Sequence, residues 1–218
     1  MVQQGCARMT ARIAGMETAG SLVLQTLVGD AVRPVLDAVA RLRMEVFRDW
    51  PYLYEGEAAY EREYLAAYAA SSGSVLVLAS DGDAVVGAST GIPLAQEAPA
   101  FQAPFLERGI APARVFYCGE SVLLPAYRGR GVGHAFFDAR EAHARRIGGF
   151  DWIAFAAVDR AQDDLRKPLG HRGNEAFWHK RGYVRQADMT MRLRWNEVGV
   201  GEREHALTFW LRPLGEAG

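Results

Sequence analysis

The sequence predicts an α/β domain in which a mixed central sheet of about six to seven strands is flanked by about four helices. Three observations lead to this fold class. Segments of strand length recur along the chain, separated by amphipathic segments with a helical period. A strand, a glycine-rich turn and a helix follow one another over residues 115–147. Residues 151–158 are apolar, as is typical of a parallel strand that is buried on both faces.

Composition limits the function classes. Half of the 218 residues are hydrophobic, so residues 21–218 can form one large domain, preceded by a flexible extension over residues 1–20 in which Met16 is an alternative start. The net charge of -1 gives no basis for binding nucleic acid or an anionic membrane, and no apolar run is long enough to span a bilayer. The two separated cysteines, Cys6 and Cys118, favour a reducing compartment, so we expect a cytoplasmic protein.

The first half of the chain contains a strand, two helices and a hairpin. Residues 21–28 form the first strand, and apolar residues recur at helical spacing from Pro34 to Phe47. Residues 57–70 form the second helix, and residues 75–92 form two strands around a turn at Asp81-Gly82-Asp83. One stripe of the second helix is aromatic and is interpreted as core packing: Tyr60, Tyr64 and Tyr68.

The second half contains a long connection and the remaining elements. The connection after the hairpin includes a short helix at residues 101–107. After the strand, turn and helix of residues 115–147 and the apolar strand, a short helix spans residues 174–181. Strands at residues 183–195 and 206–211 close the sheet.

An aromatic loop, residues 48–56, separates the first two helices. Three aromatic residues and two carboxylates surround Pro51. The loop is either a hydrophobic plug over the core or a wall of a binding site, since aromatic rings and an anion suit an amine. The second interpretation makes Tyr52, Tyr54 and Glu55 substrate-binding residues.

The glycine-rich turn has the properties of an anion site. Free backbone N–H groups at a helix N-terminus attract phosphate, and glycine lets the backbone approach it closely. The turn has neither the Gly-Lys-Ser/Thr ending of a P-loop nor the third glycine of a dinucleotide fingerprint. The residues predicted to bind the anion are Arg128, Gly129, Arg130, Gly131, Val132 and Gly133.

The pattern Arg128-x-x-Gly131-x-Gly133 resembles the pyrophosphate-binding motif of the GNAT superfamily, the acyl-CoA-dependent N-acyltransferases. A second match, residues 174–183, resembles the late helix and turn of that family. The predicted order of elements is also that of the GNAT fold. The resemblance covers roughly residues 21–214.

The resemblance implies acetyl-CoA as co-substrate, no metal, and direct attack by a primary amine of a small molecule or peptide. In such enzymes the pantetheine arm pairs with the central strand, here with the backbone of Val122, Leu123 and Leu124, and an N–H near Val122 could stabilise the oxyanion. Asn174 and Trp178 are also expected to contact the coenzyme. Both a monomer and a homodimer remain compatible with the sequence.

Glu120 is the best candidate for the base that removes the proton of the ammonium group, because members of the family often have a carboxylate on this strand. In a regular strand it shares one face with Phe116, Cys118 and Val122, and an apolar environment raises the pKa of a carboxyl group, which suits a base. The alternative is a structural carboxylate hydrogen-bonded to neighbouring helices. Asp159 and Glu55 are rival bases.

Trp178 departs from the family pattern. Many relatives have a tyrosine there that could protonate the leaving thiolate, whereas an indole donates only a neutral hydrogen bond. A free thiol has a pKa of about 8.5, so unassisted departure is chemically reasonable. The tryptophan is compatible with a second class of function, a non-catalytic acyl-CoA-binding or regulatory module. A third class is another phosphate-binding α/β protein.

Overall fold

Nine strands form one mixed sheet in the computed structural model, which describes residues 10–12 and 22–215. The strands are β1 Thr10–Arg12, β2 Leu22–Leu27, β3 Val75–Asp81, β4 Ala84–Pro93, β5 Val115–Tyr117, β6 Ser121–Leu123, β7 Trp152–Val158, β8 Val184–Glu197 and β9 Gly201–Pro213. The α-helices are α1 Leu36–Phe47, α2 Ala58–Ala70, α3 Pro99–Glu107, α4 Val132–Ile147 and α5 Glu175–Lys180. The order across the sheet is β1, β2, β3, β4, β5, β7, β9, β8, and β6 pairs beside β4.

The predicted mixed α/β architecture is confirmed, with more strands than the six to seven expected. One additional strand is β1, which pairs antiparallel with β2 and lies in the segment interpreted as an extension. The other residues of that segment lie outside the described part of the chain. The second additional strand arises because the strand predicted over residues 115–124 is divided into β5 and β6.

Helices cover both faces of the sheet. On one face, Phe136 and Phe137 of α4 pack in a cluster with strand residues such as Val77 and Ile153. On the other face, α1 and α2 bury a cluster that includes Val122. Helix α3 lies on this second face, where the rings of Phe105 and Phe209 are 4.9 Å apart. The alternating side chains of the central strands therefore supply both cores.

The aromatic stripe of α2 is core only in part. Tyr68 is 1% exposed, but Tyr60 is 58% exposed, so the prediction of core packing is wrong for that residue. The hydroxyl groups of Tyr64 and Tyr68 lie 3.0 Å apart inside the protein and contact carboxylates, as described below. The stripe therefore contributes both to the hydrophobic core and to a buried polar network.

A β-bulge at Gly119 and Glu120 divides the central strand. The Gly119 N–H donates to the Thr90 carbonyl at 3.2 Å, and the Thr90 N–H donates to the Glu120 carbonyl at 3.0 Å. Gly119 and Glu120 thus both lie opposite Thr90, and the extra residue shifts the alternation of side chains along the strand by one position. A Cβ atom at Gly119 would lie 2.3 Å from the Tyr68 hydroxyl oxygen, so this approach requires glycine.

The bulge corrects the prediction that Phe116, Cys118, Glu120 and Val122 share one face. Phe116 and Cys118 pack in the core under α4. Val122 packs under α1 and α2, and the Glu120 side chain contacts residues of those two helices. The regular alternation assumed from the sequence stops at the extra residue.

The bulge also separates β6 from β7. Parallel pairing of β5 with β7 runs from Val115 with Trp152 to Tyr117 with Ala154. Beyond that point β6 pairs with β4, and β7 continues its pairing with β9. Within the described residues, no strand pairing links β6 to the second half of β7. The sheet therefore opens into a slot between these two strands, next to the glycine-rich turn.

Candidate active site

The glycine-rich turn presents unpaired backbone N–H groups at the start of α4. Gly129 and Gly131 have φ angles of 76° and 81°, and a Cβ at either position would meet no atom within 4 Å. Within the described residues, the N–H groups of residues 129–134 donate to no acceptor. The first turn of α4 has no acidic residue. This arrangement fits an anion, as the sequence predicts for residues 128–133.

The slot offers backbone groups from alternate residues of β6. Leu124 N–H donates to the Val86 carbonyl, and the Glu120 carbonyl accepts from Thr90, both across the pair with β4. By the alternation of an antiparallel ladder, the backbone groups of Ser121 and Leu123 face the slot and those of Val122 face β4. The N–H groups available to an oxyanion are therefore those of Ser121 and Leu123 rather than that of Val122.

Trp178 closes one side of the region around β7. Its ring packs 4.9 Å from that of Phe155 on β7 and 5.0 Å from that of Trp210 on β9. Asn174 precedes α5, is exposed, and makes no side-chain hydrogen bond to the helix it caps. That amide is thus available to a ligand. The coenzyme contacts expected of Asn174 and Trp178 stay predictions.

The Glu120 carboxyl group is buried in a polar cluster, so the expectation of apolar neighbours is wrong. Its Oε2 atom lies 2.5 Å from Nη1 of Arg43 on α1 and accepts a hydrogen bond of 3.0 Å from the Tyr64 hydroxyl on α2. Its Oε1 atom is buried and has no hydrogen-bond partner in the described part of the protein. Contact with both helices is what the structural interpretation predicts, whereas an oxygen without a hydrogen-bond partner is what a base requires.

Arg43 joins two buried carboxylates. Its Nε atom lies 2.5 Å from Oε2 of Glu61 on α2, and its Nη1 atom reaches Glu120. Burial lowers the pKa of Arg43, but the charges of Glu120, Tyr64 and Glu61 outweigh that effect and raise the pKa well above its ordinary value. The guanidinium carbon also lies 4.4 Å from the centroid of the Tyr64 ring. Arg43 therefore fixes Glu120 and Tyr64 against the helices.

Arg43→Lys is expected to lower the free energy of unfolding by about 1–2 kcal/mol, because one ammonium group cannot replace a guanidinium fork between two carboxylates. Chemical unfolding measures the change. Arg41→Lys, two residues away on the exposed surface of α1, is the matched control and should leave stability unchanged. Equal stability of the two variants would contradict a bridging role for Arg43.

The aromatic loop places two of its three predicted substrate residues beside this cluster. Burial, followed by the negative charge of Glu120, raises the pKa of Tyr52 to about 12. Burial, followed by the charge of Glu61, raises the pKa of Tyr54 well above its usual range. The Glu55 side chain instead is 55% exposed and lies 3.8 Å from Arg48. The carboxylates near these two rings are therefore Glu120 beside Tyr52 and Glu61 beside Tyr54, not Glu55.

The two rival bases are less suited to that role. Both oxygens of Asp159 are engaged, with Arg185 at 2.9 Å and with the Thr208 hydroxyl at 2.6 Å. Glu55 faces solvent beside Arg48. Glu120 combines burial with a carboxylate oxygen that has no hydrogen-bond partner among the described residues.

Two further residues were missed by the sequence analysis. Arg160 ties the aromatic loop to β8, since it donates to the carbonyls of Pro51 and Tyr52 and to Glu197 at 2.6 to 2.8 Å. Arg140 of α4 is 2% exposed and donates to the Glu120 carbonyl at 3.1 Å, which holds the bulge. Nothing in the sequence reveals the partners of Arg160. A signal for Arg140 was its position among the apolar residues of α4.

Other features of the surface lie apart from this site. A shallow cleft of about 530 Å³ is lined by Arg114, Arg145 and Asp151 at the opposite end of α4 from the glycine-rich turn. Among the described residues, no group of three histidine, cysteine or acidic side chains is arranged to hold a metal ion. No helix in that part of the chain combines the length and the hydropathy that a membrane span needs.

Comparison with known proteins identifies the family. Residues 37–170, more than half of the chain, match the Acetyltransferase (GNAT) family. The chain therefore belongs to the GNAT family of acetyltransferases. A search of curated proteins gives no match.

Solved structures with this fold include several acetyltransferases. A GCN5-related N-acetyltransferase from Kribbella flavida is 21% identical, with a TM-score of 0.54, over 87% of this chain and 97% of its own. A candidate acetyltransferase from Salmonella typhimurium, solved with its cofactor acetyl-CoA, is 14% identical, with a TM-score of 0.52, over 89% of this chain and 96% of its own. An acetyltransferase from Thermus thermophilus is 12% identical, with a TM-score of 0.52, over 86% of this chain and 96% of its own. At these identities the likeness shows the fold.

Proposed function

We propose that the protein transfers an acetyl group from acetyl-CoA to a primary amine of a small molecule or peptide, by direct attack within a ternary complex. The observation that carries this proposal is the spatial order of the candidate binding and catalytic groups along the opened sheet. Unpaired N–H groups at the start of α4 are followed by a slot beside β6. The buried carboxylate of Glu120 lies directly before β6, and its Oε1 atom has no hydrogen-bond partner among the described residues. Acetyl-CoA bound to the Salmonella typhimurium neighbour supports the choice of coenzyme.

The proposal gives each part of the coenzyme and of the reaction a partner in this chain. The pyrophosphate binds the N–H groups of residues 129–134, with Arg128 and Arg130 at their edge, and the pantetheine arm lies along β6. The amine nitrogen attacks the thioester carbon while the Leu123 N–H stabilises the developing oxyanion. The carbon–sulfur bond then breaks and coenzyme A leaves as a thiolate, which takes up, through solvent, the second proton that the nitrogen loses as it becomes an amide.

Glu120 takes the proton that the amine loses, directly or through one water molecule. An ammonium group has no lone pair, so it must be deprotonated before it can attack. The aromatic ring of Tyr52 lies near Glu120 and that of Tyr54 near Glu61, and both would favour a cationic substrate before that step. The cytoplasm is the proposed location, and the buried free thiol of Cys118 suits a reducing compartment.

The direct test is a panel of primary amines assayed for thiol release from acetyl-CoA, with mass spectrometry of the acetylated product. We expect saturable thiol release with at least one class of amine and a product heavier by one acetyl group. Binding of acetyl-CoA without amine-dependent thiol release would instead support a non-catalytic acyl-CoA-binding module, the alternative that Trp178 suggests. Absence of acetyl-CoA binding would contradict both.

Tyr52→Leu is expected to raise the KM for the amine by roughly three- to tenfold, the scale of one lost cation–π contact, and to leave the affinity for acetyl-CoA unchanged. Initial rates at varied amine and calorimetric titration of acetyl-CoA separate the two quantities. Tyr60→Leu removes an exposed tyrosine of α2 and is the matched control. A lower melting temperature with an unchanged amine KM would show that the loop is only a hydrophobic plug.

A further inference from the structure

A row of hydrogen-bonding groups leads away from the proposed base. Oε2 of Glu120 accepts from the Tyr64 hydroxyl at 3.0 Å. That hydroxyl lies 3.0 Å from the Tyr68 hydroxyl, which in turn lies 3.0 Å from Oε1 of Glu97. Glu97 follows β4 and is half-buried, so the row joins the buried carboxylate to one near solvent. The catalytic roles described above use none of the last three residues.

Counting hydrogens shows what this row can do. Each of its three oxygen–oxygen contacts needs one hydrogen atom, and the two tyrosine hydroxyls supply two. When Glu97 and Glu120 are both ionised, one contact therefore lacks a hydrogen atom. A third proton on either carboxyl group completes all three hydrogen bonds. The row thus has room for one added proton, which either carboxyl group can carry.

Electrostatics favours Glu97 as the end where the proton stays. Arg43 lies 2.5 Å from Glu120, whereas Glu97 has no ion-pair partner among the described residues. Burial raises the pKa of Glu97, although the hydrogen bond from Tyr68 opposes this. The titratable groups that face Glu97 are Tyr64 and Tyr68 of α2, Tyr117 of β5 and Glu120.

We propose that the proton taken from the amine by Glu120 passes through Tyr64 and Tyr68 to Glu97, which releases it to solvent. The proton arrives on Oε1 of Glu120, and rotation of the carboxyl group presents it to Tyr64. Each oxygen then accepts one proton and gives up its own to the next. At the end Glu120 is ionised beside Arg43, Glu97 is protonated, and both tyrosines are neutral. This proposal rests on the proposed acetyl transfer and names the exit of its proton.

Kinetics of Glu97→Gln and Tyr68→Phe test the relay. Each variant is expected to lower kcat near neutral pH by about tenfold, less than the loss expected for the base itself, and to leave the amine KM and the acetyl-CoA affinity unchanged. The double variant should be no slower than either single variant, because both interrupt one path. Tyr60→Phe, on the exposed face of the same helix, should match the wild type. Unchanged kcat in Glu97→Gln, or additive losses in the double variant, would overturn the relay.

Infrared spectroscopy tests the shared proton without turnover. A pH titration of the wild type should show the carbonyl stretch of a protonated carboxyl group, and Glu97→Gln should lose it. Should Tyr68→Phe fail to fold, Glu97→Gln alone decides, because Glu97 is only half-buried. Absence of that band, with normal acetylation by Glu97→Gln, would reject the relay alone. If the band is present but no amine is acetylated, the proposed function is rejected, and with it the passage of the amine proton from Glu120 to Glu97. Only the sharing of a proton along the row would then be supported.

Discussion

Gly133→Glu is expected to lower the affinity for acetyl-CoA by about a hundredfold or more, since juxtaposed like charges cost several kcal/mol and each 1.4 kcal/mol is a factor of ten. The added carboxylate would lie at the start of α4, among the N–H groups proposed to bind the pyrophosphate. The backbone tolerates this change. Gly133 does not have a positive φ angle, and a Cβ there would meet only the Phe177 ring, at 3.7 Å. Calorimetric titration measures the loss.

The fold cannot account for such a loss. A negative charge in the first turn of a helix stabilises that helix, so the melting temperature should hold or rise. Gly133→Gln has nearly the same size without the charge and is the matched control, expected to lose less affinity. Gly131→Glu is a less clean test, because Gly131 has a φ angle of 81° and any side chain there strains the backbone. Unchanged affinity in a folded Gly133→Glu variant would contradict the proposed phosphate site.

The order of elements and the backbone shape of the glycine-rich turn could be predicted because both depend on local sequence. The spacing at which apolar residues recur distinguishes helices from strands, and it can be read without knowing what each element packs against. The turn at residues 128–133 needs glycines where φ is positive, and it has them at Gly129 and Gly131. The helix that follows ends where Gly148 takes a φ angle of 73°. Local backbone requirements of this kind are visible in the sequence.

The bulge could not be predicted with the same means. Residues 115–124 have the composition of one strand, and β-bulges add a residue without changing that composition. The available signal was Gly119, because glycine inside a strand often marks a bulge or a close backbone approach. Here both occur, next to Thr90 and Tyr68. The bulge determines on which face of the sheet the Glu120 side chain lies. The wrong prediction of apolar neighbours for Glu120 therefore follows from the missed bulge.

The buried charges were also visible, but their partners were not. Arg43 lies four residues from both Val39 and Phe47, and so falls within the apolar stripe of α1. Glu61 lies four residues before Leu65 on the buried side of α2. Charged residues at such positions need buried partners. Which carboxylate meets which cation depends on how the helices pack on the sheet, which the sequence does not state.

Glu120→Gln is expected to lower turnover near neutral pH by about a hundredfold or more, the usual scale for a general base. The amide keeps the shape of the side chain but cannot accept the proton of the amine at Oε1. Activity should recover in part at alkaline pH, where more of the amine is already deprotonated. A pH–rate profile of kcat measures both effects. Loss of the contact with Arg43 should also lower the melting temperature, so stability alone does not separate a base from a structural carboxylate.

Glu61→Gln provides that separation, because Glu61 lies as close to Arg43 as Glu120 does, at 2.5 Å, and is fully buried. It removes an equivalent ion pair but leaves the open oxygen of Glu120 in place. We expect both variants to lose stability, and only Glu120→Gln to lose turnover with recovery at alkaline pH. Equal loss of turnover in the two variants, with normal pH–rate profiles, would make Glu120 a structural carboxylate. The base would then be a water molecule or another group near Tyr52, because Asp159 is engaged at both oxygens and Glu55 faces solvent.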